Sequence, residues 1–300
     1  MESLMELHLF GATTPTGEAF RQQIARLEAS LPLYSYSRRS TDHHADFRHP
    51  GMFTPAGKPG AELIWISFGP IWLLAPFLKK LARDHPDRLV GLRGVIACSS
   101  SSVLTKRFAA NSFDRELVSK LREAEKQLLD TCHHLHVPCC ILQPTLIYGQ
   151  VGAYSDSNLS RLLQLLKKLP LLPLPAQTGL RQPIHARQLA AVSFRLAERL
   201  GSSGWNPDQP ERIPLGGDQQ LSYRAMLQAL QKDARKENNS VRCWLIPIPN
   251  RLFFLLAAPL LLRSPKAYEA VMRMGADLAG FTPSYQILNE PPQPFPLSNL

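Results

Sequence analysis

The stretch GATTPTG, from Gly11 to Gly17, joins an apolar run to a helical pattern, a place where a chain can hold a phosphate. A phosphate-binding turn uses glycine to reach positive φ and to let backbone N–H groups approach a pyrophosphate at a helix N-terminus. Gly11 and Gly17 serve those ends, but Thr14 stands where such a turn usually carries a middle glycine. Its side chain either narrows the approach or offers a hydroxyl to a phosphate oxygen. A strand–turn–helix also needs glycine for geometry alone, so the turn by itself suits ligand binding and plain turn formation equally. The following strand, LYSYS, runs into Arg38 and Arg39. An acid there would accept from the adenosine ribose hydroxyls, whereas guanidinium groups suit a 2′-phosphate and favour NADP over NAD. The competing reading is two arginines in an exposed loop of a basic protein.

Further along, the hydroxyls of Ser99 to Ser102 either take part in chemistry or simply end a strand, as small hydroxylated residues do. His133, His134 and His136 lie close together in CHHLHVPCC, but without a partner set they decorate a helix end, and no metal site is expected.

Positioning these residues falls to short apolar runs at Leu7–Phe10, Leu33–Ser37, Leu63–Phe68, Gly94–Ser99 and Val137–Leu142, with helical patterns between most of them. That alternation predicts an α/β fold, a doubly wound, mostly parallel sheet with helices on its faces. Helices are expected over Gly17–Ser30, Ile71–Asp84, Asp114–His134 and Ser222–Lys236. Between Arg38 and Gly60 breakers dominate, so the third strand and its helix should be abbreviated. After Gly149 come mixed helices and proline-rich connections such as LPLLPLPAQ, which read as a small lobe over the strand ends, where ligands bind in open α/β folds.

The chain has 300 residues, 44% of them hydrophobic and 19% charged, with a formal charge of +10. Disorder is thereby excluded, and the scattered Lys and Arg read as a solvated basic surface; no recognition helix or interleaved basic and aromatic strand points to nucleic acid. Five cysteines without CxxC spacing fit a reducing compartment, and no secretion signal is evident at the start, so a cytoplasmic location is expected. The strongest apolar run, Leu252–Leu262, has 11 residues, short of the ~20 that span a bilayer. It reads as a core helix of the lobe or as a surface patch for a lipid, a quinone-like substrate or a membrane face, with Arg251, Arg263 and Lys266 near anionic head groups.

The ordered segments GATTPTG, ISFGP (Ile66–Pro70), IACSSSSVLTK (Ile96–Lys106), LQPTLIYG (Leu142–Gly149) and RQPIHARQLA (Arg181–Ala190) give the chain a resemblance to the extended, or atypical, short-chain dehydrogenase/reductases, the group containing nucleotide-sugar epimerases and dehydratases. The resemblance covers most of the chain. It implies a Rossmann-type sheet over residues 1–175, with 176–205 returning to the sheet, and a small mixed C-terminal lobe over 206–300 that meets substrate or partner. By the same resemblance Gly11, Thr13, Thr14, Pro15, Thr16 and Gly17 would hold the cofactor's pyrophosphate. Ser67, Phe68 and Gly69 would border its ribose, Ser99 would stand close by, and Pro144, Thr145, Leu146 and Ile147 would pass the nicotinamide. Asn158 and Arg181 would grip the nucleotide half of a small-molecule substrate, with His185 completing an RxxxH pattern.

Catalysis in that superfamily uses a Tyr-x-x-x-Lys pair one helix beyond a serine: the tyrosine exchanges a proton while hydride moves. Ser100 matches the serine, with Ser102 as neighbour, yet the helix SFDRELVSKLREAEKQLL contains no tyrosine. Matching Glu125 to the glutamate that commonly follows the pair puts Leu117 and Leu121 at the Tyr and Lys positions; a shift to use Lys120 puts Glu116 at the tyrosine. Two readings follow. In one, an oxidoreductase or epimerase takes its proton from Lys106, Lys120 or Tyr148. In the other, a catalytically silent relative keeps the nucleotide as a structural ligand and acts as a scaffold or assembly factor, with peripheral membrane contact through 252–262.

Overall fold

The computed structural model describes residues 5–27, 31–38, 42–201, 209–236 and 242–297; Ser30, Arg39 and the 205/206 boundary lie outside these described residues. Ten of the strands and nine of the α-helices among the described residues carry the fold. The strands are β1 (Met5–Phe10), β2 (Leu33–Ser37), β3 (His43–His44), β4 (Glu62–Ser67), β5 (Leu92–Cys98), β6 (Cys139–Pro144), β7 (Leu171–Pro175), β8 (Arg212–Gly216), β9 (Trp244–Ile248) and β10 (Thr282–Pro283). The helices are α1 (Pro15–Arg26), α2 (Ile71–Asp84), α3 (Ser112–His134), α4 (Leu159–Lys168), α5 (Ala186–Gly201), α6 (Tyr223–Lys236), α7 (Asn250–Ala257), α8 (Pro259–Arg263) and α9 (Pro265–Met272).

The central sheet has eight strands in the order β10-β8-β6-β5-β4-β1-β2-β3, and every neighbouring pair is parallel. Covered on both faces, such strands read as continuous apolar runs; β6, CCILQP, is buried at every position. Alternate residues of each strand feed two separate cores. Leu7, Leu9, Ile64 and Ile66 meet Phe20 of α1 and Leu189, Val192 and Leu196 of α5. Phe10, Leu63 and Trp65 meet Phe77 and Leu78 of α2 and Leu121 and Leu128 of α3 on the other face.

Between β2 and β4 the chain is abbreviated as expected: the regular pieces are β3 and a 3-10 turn at Pro50–Met52. Packing replaces periodicity there. Phe47 and Phe53 stack into an aromatic cluster with Phe10 and Phe77, and the Lys58 N–H donates to the buried Glu6 carboxylate at 3.2 Å. Beside it the Tyr36 hydroxyl, 3.0 Å from His8 Nδ1, accepts from the Ala56 N–H at 2.8 Å.

The C-terminal segment weaves through both parts of the molecule. β8 pairs with β6 and β10 with β8, so residues beyond 206 complete the central sheet. Conversely β7, before residue 176, pairs with β9, and with Leu166 and Leu174 it shares a small core with Met226 and Leu227 of α6. The run Leu252–Leu262 is divided into α7 and α8, and it is not a core helix: Phe253 and Ala257 point inward while most of its leucines are exposed. Among the described residues no helix is long and apolar enough to cross a membrane.

Candidate functional site

β1 has β2 on one side and β4 on the other, and beyond the carboxyl ends of these strands, where the chain order reverses, open α/β sheets hold their ligands. A cleft of about 540 Å³ opens there. Gly11 forms one wall at φ +82°, and a Cβ on it would lie 2.8 Å from the Gly69 nitrogen. A Cβ on Gly17 would lie 2.3 Å from the Gly11 carbonyl oxygen, so glycine is required at both ends of the turn by close approach.

Thr14 takes a role distinct from either one the sequence suggested. Its hydroxyl donates to the Gly11 carbonyl at 2.8 Å and accepts from the Gly17 N–H at 3.0 Å. It is the N-cap of α1, with Pro15 following as the first helical residue. The turn is thus tied to itself, its hydroxyl proton is already used, and Pro15 has no N–H to give. The N–H groups of Ala12, Thr13 and Thr16 find no acceptor among the described residues. Three backbone donors at a helix N-terminus, beside a glycine wall and a cleft of this size, fit a pyrophosphate.

Of the expected cofactor residues, Gly11, Thr13, Thr14, Arg38, Phe68, Gly69, Ser99 and Ile147 line the cleft. Pro15, Thr16 and Gly17 form the first turn of α1, outside the lining itself. Ser67 is buried, and its hydroxyl accepts from the Gly69 N–H at 3.3 Å. Pro144, Thr145 and Leu146 are not in the lining: Thr145 N–H donates to the Leu215 carbonyl at 2.9 Å, and Leu146 packs into the small core under α4 and α6. The sequence reading missed Asp46 and Phe47, which follow β3 and line the cleft together with Arg38. The Arg48 N–H beside Asp46 holds its carboxyl below the ordinary range. An acid just past a third strand was the available signal, hidden because a two-residue strand has no period to read.

The far wall of the cleft is made by α3. Leu117 and Leu121 both line the cleft, while Glu116 and Lys120 are exposed. An aliphatic stretch of α3 therefore faces the cleft. Ser100 lines the cleft, its hydroxyl 3.1 Å from that of Ser102, which lies outside the lining. Ser99 donates to Glu125 at 2.5 Å, and Glu125 also receives Gln143 and Arg212, joining α3 to β6 and β8.

Other donors are engaged. Lys106 makes a 2.9 Å ion pair with the fully buried Asp114, which Arg273 reaches at 2.9 Å from the other side. The Lys120 ammonium sits 4.9 Å over the ring of Trp72. Burial raises the phenol pKa of Tyr148, whose hydroxyl accepts from the Leu297 N–H at 3.0 Å.

The substrate-side residues are not brought together at the cleft. Arg181 is buried, and its guanidinium donates to the Leu180 and Ala276 carbonyls at 2.7 Å each and to the Arg273 carbonyl at 2.5 Å. His185 is buried with its ring edge-on to Tyr148, its Nδ1 accepting from the Arg187 N–H at 3.1 Å. Burial brings its pKa down to about 4, with Arg187 adding to the shift. Asn158 is exposed at the start of α4, its N–H donating to Asp156.

No protein-family model matches the sequence, and no curated protein matches it significantly. Solved structures with the same fold do exist. Gre2 from Candida albicans in complex with NADPH aligns over 97% of this chain and 95% of its own with a TM-score of 0.61 at 10% identity. A UDP-glucuronic acid 4-epimerase from Bacillus cereus, in complex with UDP-glucuronic acid and NAD, aligns over 96% and 94% with a TM-score of 0.61 at 13% identity. RMD from Pseudomonas aeruginosa, complexed with NADPH, aligns over 82% and 87% with a TM-score of 0.57 at 13% identity. The chain shares their Rossmann-type fold across nearly its whole length.

Proposed function

We propose that this chain binds NADP in the cleft at the ends of β1 and β4 and retains it as a nucleotide-binding scaffold, without the proton relay of the short-chain dehydrogenase/reductases it resembles. The observation that carries the reading is the aliphatic wall of Leu117 and Leu121 on α3. The N–H groups of Ala12, Thr13 and Thr16 would hold the pyrophosphate, and Arg38 at the rim would meet a 2′-phosphate. That neighbours of this fold are described with NADPH or NAD supports a dinucleotide as occupant. Bound there, the group would offer hydride chemistry, which the scaffold reading leaves unused. What the protein adds is orientation and exclusion of water by Trp72, Leu117, Leu121 and Ile147.

Ser100 favours a second reading, in which a small carbonyl substrate, nucleotide-linked or not, is held by its hydroxyl and reduced with a proton from water. One experiment separates the two. Thermal stabilisation by NADPH and NADH is measured first; then label exchange from deuterated NADPH is followed with nucleotide sugars and simple carbonyls. Stabilisation without exchange supports the scaffold, exchange supports the reductase, and no stabilisation by either dinucleotide rejects both. Arg38→Ala is expected to weaken NADPH by about tenfold or more and to leave NADH nearly unchanged, since one charge-assisted contact is worth roughly 1.5–3 kcal/mol. Equal losses would remove the 2′-phosphate assignment.

A further inference from the structure

A surface helix ordinarily turns polar residues to water. α7 and α8 do the reverse. Phe253 and Ala257 seat α7 on the protein, while Leu252, Leu255, Leu256, Leu261 and Leu262 are 48, 69, 64, 51 and 93% exposed. The exposed charges beside them are basic, Arg251, Arg263 and Lys266, while the nearby acid Glu269 is turned to the Asn111 N–H and to Arg273. Lys266 lies beside the patch with its ammonium 3.5 Å over the ring of Phe113, itself 53% exposed. Trp244, 76% exposed on β9, adds an aromatic anchor on the adjoining strand pair.

We infer that this leucine face is a docking surface for an anionic lipid bilayer, on which α7 and α8 lie in the interface without crossing it. Apolar side chains beside exposed cations complement acyl chains beneath negative head groups. A protein partner would have to supply an apolar surface carrying acids and no bases opposite this rim. Because Phe253 and Ala257 already hold α7 in place, the leucines are presented without refolding. The inference does not depend on what occupies the cleft.

The test uses the full chain in flotation with vesicles of phosphatidylcholine alone and of phosphatidylcholine mixed with phosphatidylglycerol. Binding to the mixed vesicles, weakened at high salt, is expected. The double variant Leu255→Ser, Leu262→Ser should lower that binding by about tenfold or more, and Arg263→Glu with Lys266→Glu should lower it while both variants keep the parent melting temperature. Failure to bind mixed vesicles, or binding that the leucine variant leaves unchanged, would overturn the inference. So would self-association abolished by the same leucine variant in a chain that ignores lipid, which would assign the face to a second copy.

Discussion

Asp114 is fully buried, and burial alone would push its carboxyl up; the hydrogen bonds from Asn111, Lys106 and Arg273 outweigh that and hold it well below the usual range. The stability it contributes is present above the unfolded-chain value near pH 4 and is lost as the pH falls toward the lowered folded value. Asp114→Asn should therefore cost about 3 kcal/mol in urea unfolding at neutral pH, with the gap to the parent narrowing on acidification. His8 and His185 titrate in a different window. Burial brings both from 6.5 to about 4, with His43 and Arg187 adding to the respective shifts. The unfolded chain then binds protons that the native state refuses, so stability falls as the pH drops from 6.5 toward 4, by up to about 1.4 kcal/mol per pH unit for each ring. Melting curves at pH 7 and pH 5 should show this slope, and His185→Gln should flatten part of it. Arg181 and His185 mark the limit of reading residue types from sequence. The RxxxH spacing says nothing about direction, and the acceptors of Arg181 include carbonyls at 273 and 276, far away in the chain.

At the scale of elements, the first βα unit rests on a threonine that closes its own turn. Thr14→Val keeps the volume but removes both hydrogen bonds of the cap, and a loss of about 1 kcal/mol in chemical denaturation is expected. A variant as stable as the parent would show that the glycines alone fix the bend. The strands and helices around this unit were legible because buried parallel strands are continuous apolar runs and long helices repeat their faces. β2 and α2 match their expected spans, Leu33–Ser37 and Ile71–Asp84. β7 to β10 were hidden: β7 and β8 carry prolines, and β10 has two residues, too few to show a period. The cleft was legible from Gly11, Gly17 and Arg38, whereas Asp46 and Phe47 sit in a segment ordered by aromatic packing that leaves no repeat in the sequence.

For the whole molecule, the charge of +10 is distributed widely, but its effect differs by place. At the cleft Arg38 would meet the phosphate of the proposed dinucleotide, and along 242–268 cations lie beside exposed leucines. If both proposals hold, NADPH should raise the melting temperature equally with and without vesicles, since the two surfaces use different residues. Stabilisation should grow with the logarithm of ligand concentration once the site is saturated.

The weaving of β8 and β10 into the central sheet also bears on how the protein is made. On the ribosome the hydrogen-bonding edge of β6 stays open until residues 212–216 emerge, and β8 waits in turn for residues 282–283. Nascent chains stalled before residue 212 would therefore expose that unpaired edge to chaperones and proteases, and a chain cut near residue 206 would leave each fragment without part of the central sheet.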